Sequence, residues 1–321
     1  MYKMSVVLPT YNRIARLKQV LSGFEQQTYP LSDFEVIVVS DGSSDGTHEF
    51  LETIETPLHL TLIAQPNQGV SVARNRGVAE ASGEIILFID DDVVPKPQLI
   101  TEHLRLHNSN DGDVVILGTV LPPPDFSLTP WSQWEQDKLL QLYERMSTGA
   151  VEMSARYYFS GNSSLSRRLI LDCGGFDPNF RRAEDVEFGY RLGEQDVKFL
   201  FNEQAAGYHY SERSFTSWLT IPYVYGRNDV LFTTQKGQSW LLPTLLRESK
   251  ERHPFVRGLV WLCLDRPFLS KISIAGLKII GKLARPLSSM VYSGIFNLRY
   301  YQGMADELNG RSNFYRAVAQ A

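Results

Sequence analysis

The sequence predicts an α/β fold, a mostly parallel sheet flanked by helices on both faces, followed by a helical C-terminal appendage. Two observations carry this reading. Through the first 120 residues, short β-branched and aliphatic runs alternate with stretches of helical spacing, as successive βα units do. The runs are also apolar at consecutive positions, which fits strands covered on both sides. The chain is large enough for such a core: 321 residues, 43% hydrophobic and 21% charged, exclude a disordered or collagen-like polymer.

Strands are expected at residues 4–8, 35–40, 58–64, 85–89 and 114–120. The first helix is expected at 15–26, where Leu17, Val20, Leu21 and Phe24 recur at threes and fours, and further helices at 46–55 and 70–81. Asn12 and Asp45 are expected to cap the first two helices. In sheets of this kind ligands sit beyond the carboxyl ends of the strands. The residues found there are Thr10-Tyr11-Asn12, Asp41-Gly42-Ser43-Ser44-Asp45-Gly46, Gln65-Pro66-Asn67-Gln68-Gly69 and Asp90-Asp91-Asp92. All four groups are rich in oxygen ligands or donors, and all open on one edge of one sheet. Pro122-Pro123-Pro124 then breaks the alternation and begins a less regular half, with helices expected at 131–146 and 184–192. No internal repeat or low-complexity tract interrupts the chain.

Three consecutive aspartates after the apolar run 85–89 repel one another and raise one another's pKa. A divalent cation relieves that cost, and hard carboxylate oxygens suit Mg²⁺ or Mn²⁺, which bind one or two carboxylates plus substrate phosphates. Taken alone, the triplet is equally a solvated acidic turn.

The triplet does not stand alone. Val7-Leu8-Pro9-Thr10-Tyr11-Asn12, the stretch Val38-Val39-Ser40-Asp41-Gly42-Ser43-Ser44-Asp45-Gly46-Thr47, Gly69 with Ala73-Arg74-Asn75 and Gly77, and Phe88-Ile89-Asp90-Asp91-Asp92 resemble the successive motifs of family 2 glycosyltransferases in order and spacing. Gly161-Asn162-Ser163-Ser164, Gly174-Gly175-Phe176-Asp177 and Glu184-Asp185 with Arg191-Leu192 resemble the acceptor half of that family. The motifs cover about residues 4–210 and leave the tail outside.

The resemblance implies a GT-A fold, Rossmann-like, with a nucleoside-diphosphate sugar as donor and inversion at the anomeric carbon. It implies that Pro9, Tyr11 and Asp41 border the nucleoside, Asp41 accepting a hydrogen bond from the base, and that Arg74 is a cationic partner near the donor. Asp90 would contact ribose or metal, Asp91 would fill the variable middle position, and Asp92 would be the principal metal ligand. Asp185 would be the catalytic base, with Glu184 beside it. Elementary chemistry agrees: a diphosphate leaving group develops charge that a cation stabilises, and direct displacement needs one base for the acceptor hydroxyl. Glu184-Asp185 at a helix start suits anions, although ordinary charging of a helix N-terminus has the same appearance. His209, after a strand-like run, matches a position where some relatives carry a metal- or donor-binding histidine; a packed or surface role is the alternative. Trp131 and Trp134 are read as sugar-stacking, core or lid residues, and Arg181 and Arg182 as a phosphate clamp or a solvated loop.

The resulting division is a catalytic domain over 1–235, with a nucleotide-sugar half at 1–120 and an acceptor half at 121–235, and a basic amphipathic helical region over 236–321. The formal charge of −4 is uneven: residues 247–300 hold ten Lys/Arg against three Asp/Glu, +7, leaving 22 against 33, −11, elsewhere. Basic residues interleaved with Leu, Ile and Trp, without the roughly 20 apolar residues a membrane span needs, fit helices lying on an anionic membrane surface. A helical subdomain packed on the core, or a dimer contact, is the other reading. Cys173 and Cys263 are too few for a disulfide framework, and the stretch from Met1 lacks the order of a signal peptide. The expectation is a cytoplasmic protein, peripheral on the inner face of the membrane where the tail binds it. Its acceptor would be a saccharide or lipid-linked molecule, with no nucleic-acid partner and no oligomeric state specified.

Two rival readings come from other classes. Asp90 and Asp92 also resemble the nucleophile and acid of a haloacid-dehalogenase-type phosphatase, but that motif normally follows the first strand, and here it follows the fourth. A non-catalytic, membrane-docked scaffold of the same fold is the second. Dehydrogenase chemistry lacks a Gly-x-Gly-x-x-Gly after the first strand.

Overall fold

A computed structural model describes residues 2–321. Met1, where the N-terminal reading begins, and the side chain of Arg285, one of the tail cations, lie outside the described residues. Two compact units divide the chain: the residues up to Phe126 with Leu139–Ser211, and Ser127–Lys138 with Glu212–Ala321.

In the first unit the expected βα alternation is present. Strands β1 (Met4–Thr10), β2 (Phe34–Asp41), β3 (His59–Gln65) and β4 (Ile85–Ile89) are separated by helices α1 (Ile14–Glu25), α2 (Thr47–Thr53) and α3 (Val70–Glu80). Then follow β5 (Val93–Pro95), α4 (Leu99–Asn108), β6 (Val114–Leu121), α5 (Pro130–Ser147), β7 (Asn162–Ser166), α6 (Arg167–Asp172), α7 (Glu184–Gly193) and β8 (Lys198–His209). The eight strands form one sheet in the order β3-β2-β1-β4-β7-β6-β8-β5.

The sheet is mostly parallel, as expected, with an antiparallel minority: four of its seven strand pairings are parallel. β1 runs parallel to β2 and β4, β2 to β3, and β6 to β8, whereas β7 is antiparallel to both β4 and β6, and β5 to β8. The parallel expectation holds for the half in which each strand is followed by a crossover helix. The exceptions are β7, which enters between β4 and β6 from the other end, and the short edge strand β5. Alternate strand residues separate two cores. Val6, Leu8, Val36, Val38, Leu87 and Ile89 face α1 and α4, packing on Leu17, Val20, Leu21, Phe24, Leu99, Ile100 and Leu104. Val7, Ile37, Val39, Ile86 and Phe88 face the other way, against Ala73, Val78, Leu169, Ile170, Phe188 and Leu192. Each such side chain contributes about 1.5–3 kcal/mol on full burial.

The expected caps are rearranged. Arg13 and Gly46 occupy the N-cap positions of α1 and α2. Asn12, at φ 53°, instead binds the second loop, its Oδ1 accepting from the Ser44 amide at 2.7 Å. Asp45 caps across the loop: Oδ2 accepts from the Ile14 amide at 2.9 Å and Oδ1 from the Thr47 hydroxyl at 2.6 Å. A carboxylate from the neighbouring strand end thus satisfies α1, a link that sequence spacing does not reveal.

The second unit is helical. It comprises the start of α5, then α8 (Phe215–Gln235), α9 (Leu241–Glu251), α10 (Pro254–Cys263), α11 (Pro267–Leu283), α12 (Ser288–Glu307) and α13 (Arg311–Gln320). The division expected at residue 235 falls at the end of α8, but α8 packs with the tail helices. A Cβ on Gly226 would lie 2.0 Å from the Tyr300 carbonyl oxygen, and one on Gly303 would lie 1.9 Å from that of Tyr223. Only glycine at both positions lets α8 and α12 approach so closely. Trp131 joins Trp218, Leu259, Ile274, Tyr292, Ile295 and Leu298 in this unit's core, with Trp134 packed against them. Trp131 is therefore a core residue, and Trp134 is partly buried against that core. No helix among the described residues is long and apolar enough to cross a membrane, and Cys173 and Cys263 are both free thiols.

Candidate active site

The acidic turn leaves β4 at the carboxyl edge of the sheet; Asp90 meets Arg74, while Asp91 and Asp92 share Arg13. Asp90 is the most accessible of them and accepts from Arg74 Nη2 at 2.8 Å. It fits because residue 161 is glycine: a Cβ there would lie 2.9 Å from Asp90 Oδ2. Asp91 turns inward, accepting from the Thr10 hydroxyl at 2.8 Å and from Arg13 Nη1 at 3.0 Å. Burial pushes its carboxyl up to about 7, with Arg13 opposing and the neighbouring Asp92 adding to the shift. Asp92 also receives Arg13 and faces His209, whose Nε2 lies 3.6 Å from Asp92 Oδ1. Burial alone would raise Asp92, but His209 and Arg13 outweigh it and hold the carboxyl well below the usual carboxylate range. His209 comes from the end of β8, paired in register with Val93 of β5.

Arg74, on α3, joins this turn to the second acidic motif. It is 3% exposed, with Nη2 on Asp90 and Nη1 donating to Glu184 Oε1 at 2.7 Å. Its guanidinium lies over the Phe176 ring, 5.3 Å from the centroid. Two acids far apart in the sequence are therefore held by one buried cation. Arg74→Met is expected to destabilise the fold by about 3 kcal/mol, because breaking a buried ion pair from one side leaves Glu184 uncompensated. Urea unfolding measures this, and an unchanged midpoint would show that the bridge contributes little.

Glu184 and Asp185 open α7, whose first turn also holds Glu187. The helix dipole favours all three. Ala183 precedes them at φ 57°, a left-handed conformation unfavourable for a residue with a Cβ, and this bends the chain sharply into the helix. Nearby, Asn75 binds both the amide and the carbonyl of Phe176, each at 2.8 Å, and Arg191 donates to the carbonyls of Cys173 and Gly175. The glycine loop before α7 is thus clamped on two sides. Within the pair the acids differ. Glu184 is spent on Arg74, whereas Asp185 accepts only the Val186 amide, at 2.8 Å, among the described residues. Burial, followed by the Glu184 charge, pushes Asp185 up to about 7 against the pull of Arg74.

At the nucleoside end, Asp41 is 5% exposed and organises the third loop. Its Oδ1 accepts from Gln65 Nε2 at 2.7 Å and the Gln68 amide at 2.9 Å, and its Oδ2 accepts from the Gly69 amide at 2.8 Å. Pro9 is buried in β1, and Tyr11 is half exposed just beyond it. Arg181 and Arg182 lie exposed before Ala183. Sequence reading missed Arg13, and it placed Thr10 among the strand-end donors without assigning it to the acidic turn. The available signal was a cation immediately after the first strand-end motif.

No group of three or more His, Cys, Asp or Glu suited to a cation occurs among the described residues. The donor set nonetheless fits one divalent ion of the kind expected. Asp92 and His209 supply one carboxylate and one imidazole on facing elements, and such ions complete their shell with substrate phosphates and water.

The mixed sheet with an acidic turn at its carboxyl edge has the GT-A fold, which it shares with the solved glycosyltransferase structures it resembles. The chain belongs to glycosyl transferase family 2, whose model matches residues 5–188. Among curated relatives, validoxylamine A glucosyltransferase of Streptomyces hygroscopicus subsp. jinggangensis is 30% identical over 229 residues, 64% of this chain and 54% of the relative. The chain therefore spans about half the length of that relative. Among solved structures, the mannosyltransferase PcManGT from Pyrobaculum calidifontis, in complex with GDP-Man and Mn²⁺, superposes with a TM-score of 0.61 at 15% identity, covering 94% of this chain and 86% of that one. S. aureus TarS 1–349 in complex with UDP gives 0.58 at 17% identity, covering 96% and 92%.

Proposed function

We propose that the chain is an inverting glycosyltransferase that moves a sugar from a nucleoside-diphosphate sugar, a UDP-sugar in first place, to an acceptor hydroxyl on a saccharide or lipid-linked saccharide. Its role would lie in polysaccharide or glycolipid assembly. The observation that carries the reading is the Arg74 bridge. It keeps the acidic turn and the Glu184-Asp185 step beside one another, as direct displacement with separate leaving-group and acceptor ends requires. The UDP bound to TarS and the GDP-Man and Mn²⁺ bound to PcManGT support a nucleotide donor and a divalent ion here.

In this reading Pro9, Tyr11 and the remaining acceptor capacity of Asp41 border the nucleoside, and Asp90 faces the ribose. Asp92 and His209 would hold Mg²⁺ or Mn²⁺, which supplies charge stabilisation to the departing diphosphate. Arg13, already at the turn, is placed to add a positive charge there. Arg74, the cationic partner near the donor, also positions Asp90 and Glu184. Asp185 takes the acceptor proton on the opposite side. Family membership sets aside the phosphatase reading.

Thermal unfolding with UDP-, GDP- and dTDP-sugars, with and without Mn²⁺, tests the proposal. A ligand that binds only the folded state stabilises it by about 2.7 kcal/mol at a hundredfold excess over its Kd. The expected result is a clear midpoint rise with a UDP-sugar plus Mn²⁺. Absence of any nucleotide-sugar response would favour the scaffold reading.

A further inference from the structure

On α11 the burial pattern is reversed from that of an ordinary surface helix. Ser270, Ile274 and Gly281 face inward, while Phe268, Ile272, Ile279 and Leu283 face solvent at 74, 55, 59 and 80% exposure. These four, spaced at one and two turns, form one stripe along the helix, with Leu269 and Ile280 on one flank at 37 and 43%. The other flank carries the exposed Lys271 and Lys282, with Lys278 between them half-buried, its ammonium 4.2 Å from the Phe215 ring centroid. Past the helix end, Leu287 and Met290 are also exposed, at 44 and 38%. A solvated helix normally presents its charges outward and its aliphatic side chains to the core. Here the large aliphatic side chains are outside, and the lysines line them on one side only.

We infer that the solvent-facing stripe of α11 docks on an anionic lipid bilayer, lying flat in the interface rather than crossing it. Helices of this kind bury an apolar face at the boundary of headgroups and acyl chains while basic side chains reach the phosphates. Lysine suits the flank because its stem can follow the apolar surface while its ammonium stays among the headgroups. Charge complementarity favours this occupant over a second copy of the chain. Residues 266–290 contain no Asp or Glu, so a facing copy would bring three more lysines of α11 and no acid from this stretch. The inference does not depend on turnover at the donor site, and the two can fail separately.

Co-sedimentation of the full chain with vesicles is the test, using phosphatidylcholine alone and phosphatidylcholine with about one-third phosphatidylglycerol, at about 0.1 M salt. The expected result is binding to the anionic vesicles only. Ile279→Glu and Leu283→Asn in the stripe, and Lys282→Glu on its flank, should each weaken it about tenfold or more. All three side chains are exposed, so unfolding midpoints should remain near that of the parent chain. Three outcomes would overturn the inference: no binding to anionic vesicles, equal binding to neutral ones, or undiminished binding by the stripe variants. A fourth is a dimer, seen by light scattering without lipid, that Ile279→Glu dissociates while the parent chain ignores vesicles.

Discussion

Asp185→Asn is expected to lower kcat by about 10³-fold while UDP affinity stays within about twofold, since a positioned general base contributes about 10²–10⁴. The proposal assigns this effect to Asp185 rather than Glu184 because the two acids differ in their partners. Glu184 is committed to Arg74, whereas Asp185 has one backbone donor and oxygen capacity to spare. The substitution is also structurally mild. Burial and the adjacent Glu184 already raise the Asp185 carboxyl to about 7, so the fold accommodates a neutral group there. The same shift sets the pH profile. An acid raised to about 7 holds its proton below that pH and is a base above it, so kcat in the parent enzyme should climb as pH passes from 6 to 8. In Asp185→Asn the residual rate should lose that step. Turnover equal to the parent would remove Asp185 as the base, and a profile flat through 7 would mean that its proton is not the one that matters.

Asp92→Ala is expected to abolish the contribution of Mn²⁺ to donor binding, weakening UDP-sugar affinity about 100-fold, much as chelator should do to the parent chain. Asp92 is the member of the triplet that His209 and Arg13 keep ionised despite burial. A divalent ion needs its carboxylate in that form. Titration calorimetry with and without metal separates this from a general loss of the site, because the metal-independent part of nucleotide binding should survive. If the variant binds donor as the parent does, and neither responds to chelator, Asp92 is not a ligand.

Much of this was legible in one dimension because the first half is built from local signals. The runs that became β1, β2, β3, β4 and β6 and the stretches that became α1, α3 and α7 were found within a few residues of their bounds, since continuous β-branched runs and period 3.6 are properties of the chain itself. The acidic turn was legible because three adjacent carboxylates are costly without a compensating charge. Asn12 and Asp45 show where that reasoning stops. Both residue types suit caps, but a cap made across two loops depends on strand neighbours that spacing does not specify. Trp131 and Trp134 were ambiguous for the same reason, because helical spacing gives a face but not what the face meets.

Sequence alone determined the residue types and order that mark a family 2 transferase: the loop polarity after each strand, the acidic turn and the later Glu184-Asp185 pair. Only the tertiary structure decided which of those charges meet. It sent Arg74 to both Asp90 and Glu184, gave Arg13 to Asp91 and Asp92, left Asp185 nearly unengaged, and turned the apolar side of α11 outward. The physical reason is that ionisation and partner choice follow distance and burial between residues remote in the chain, and those appear only once the chain has packed.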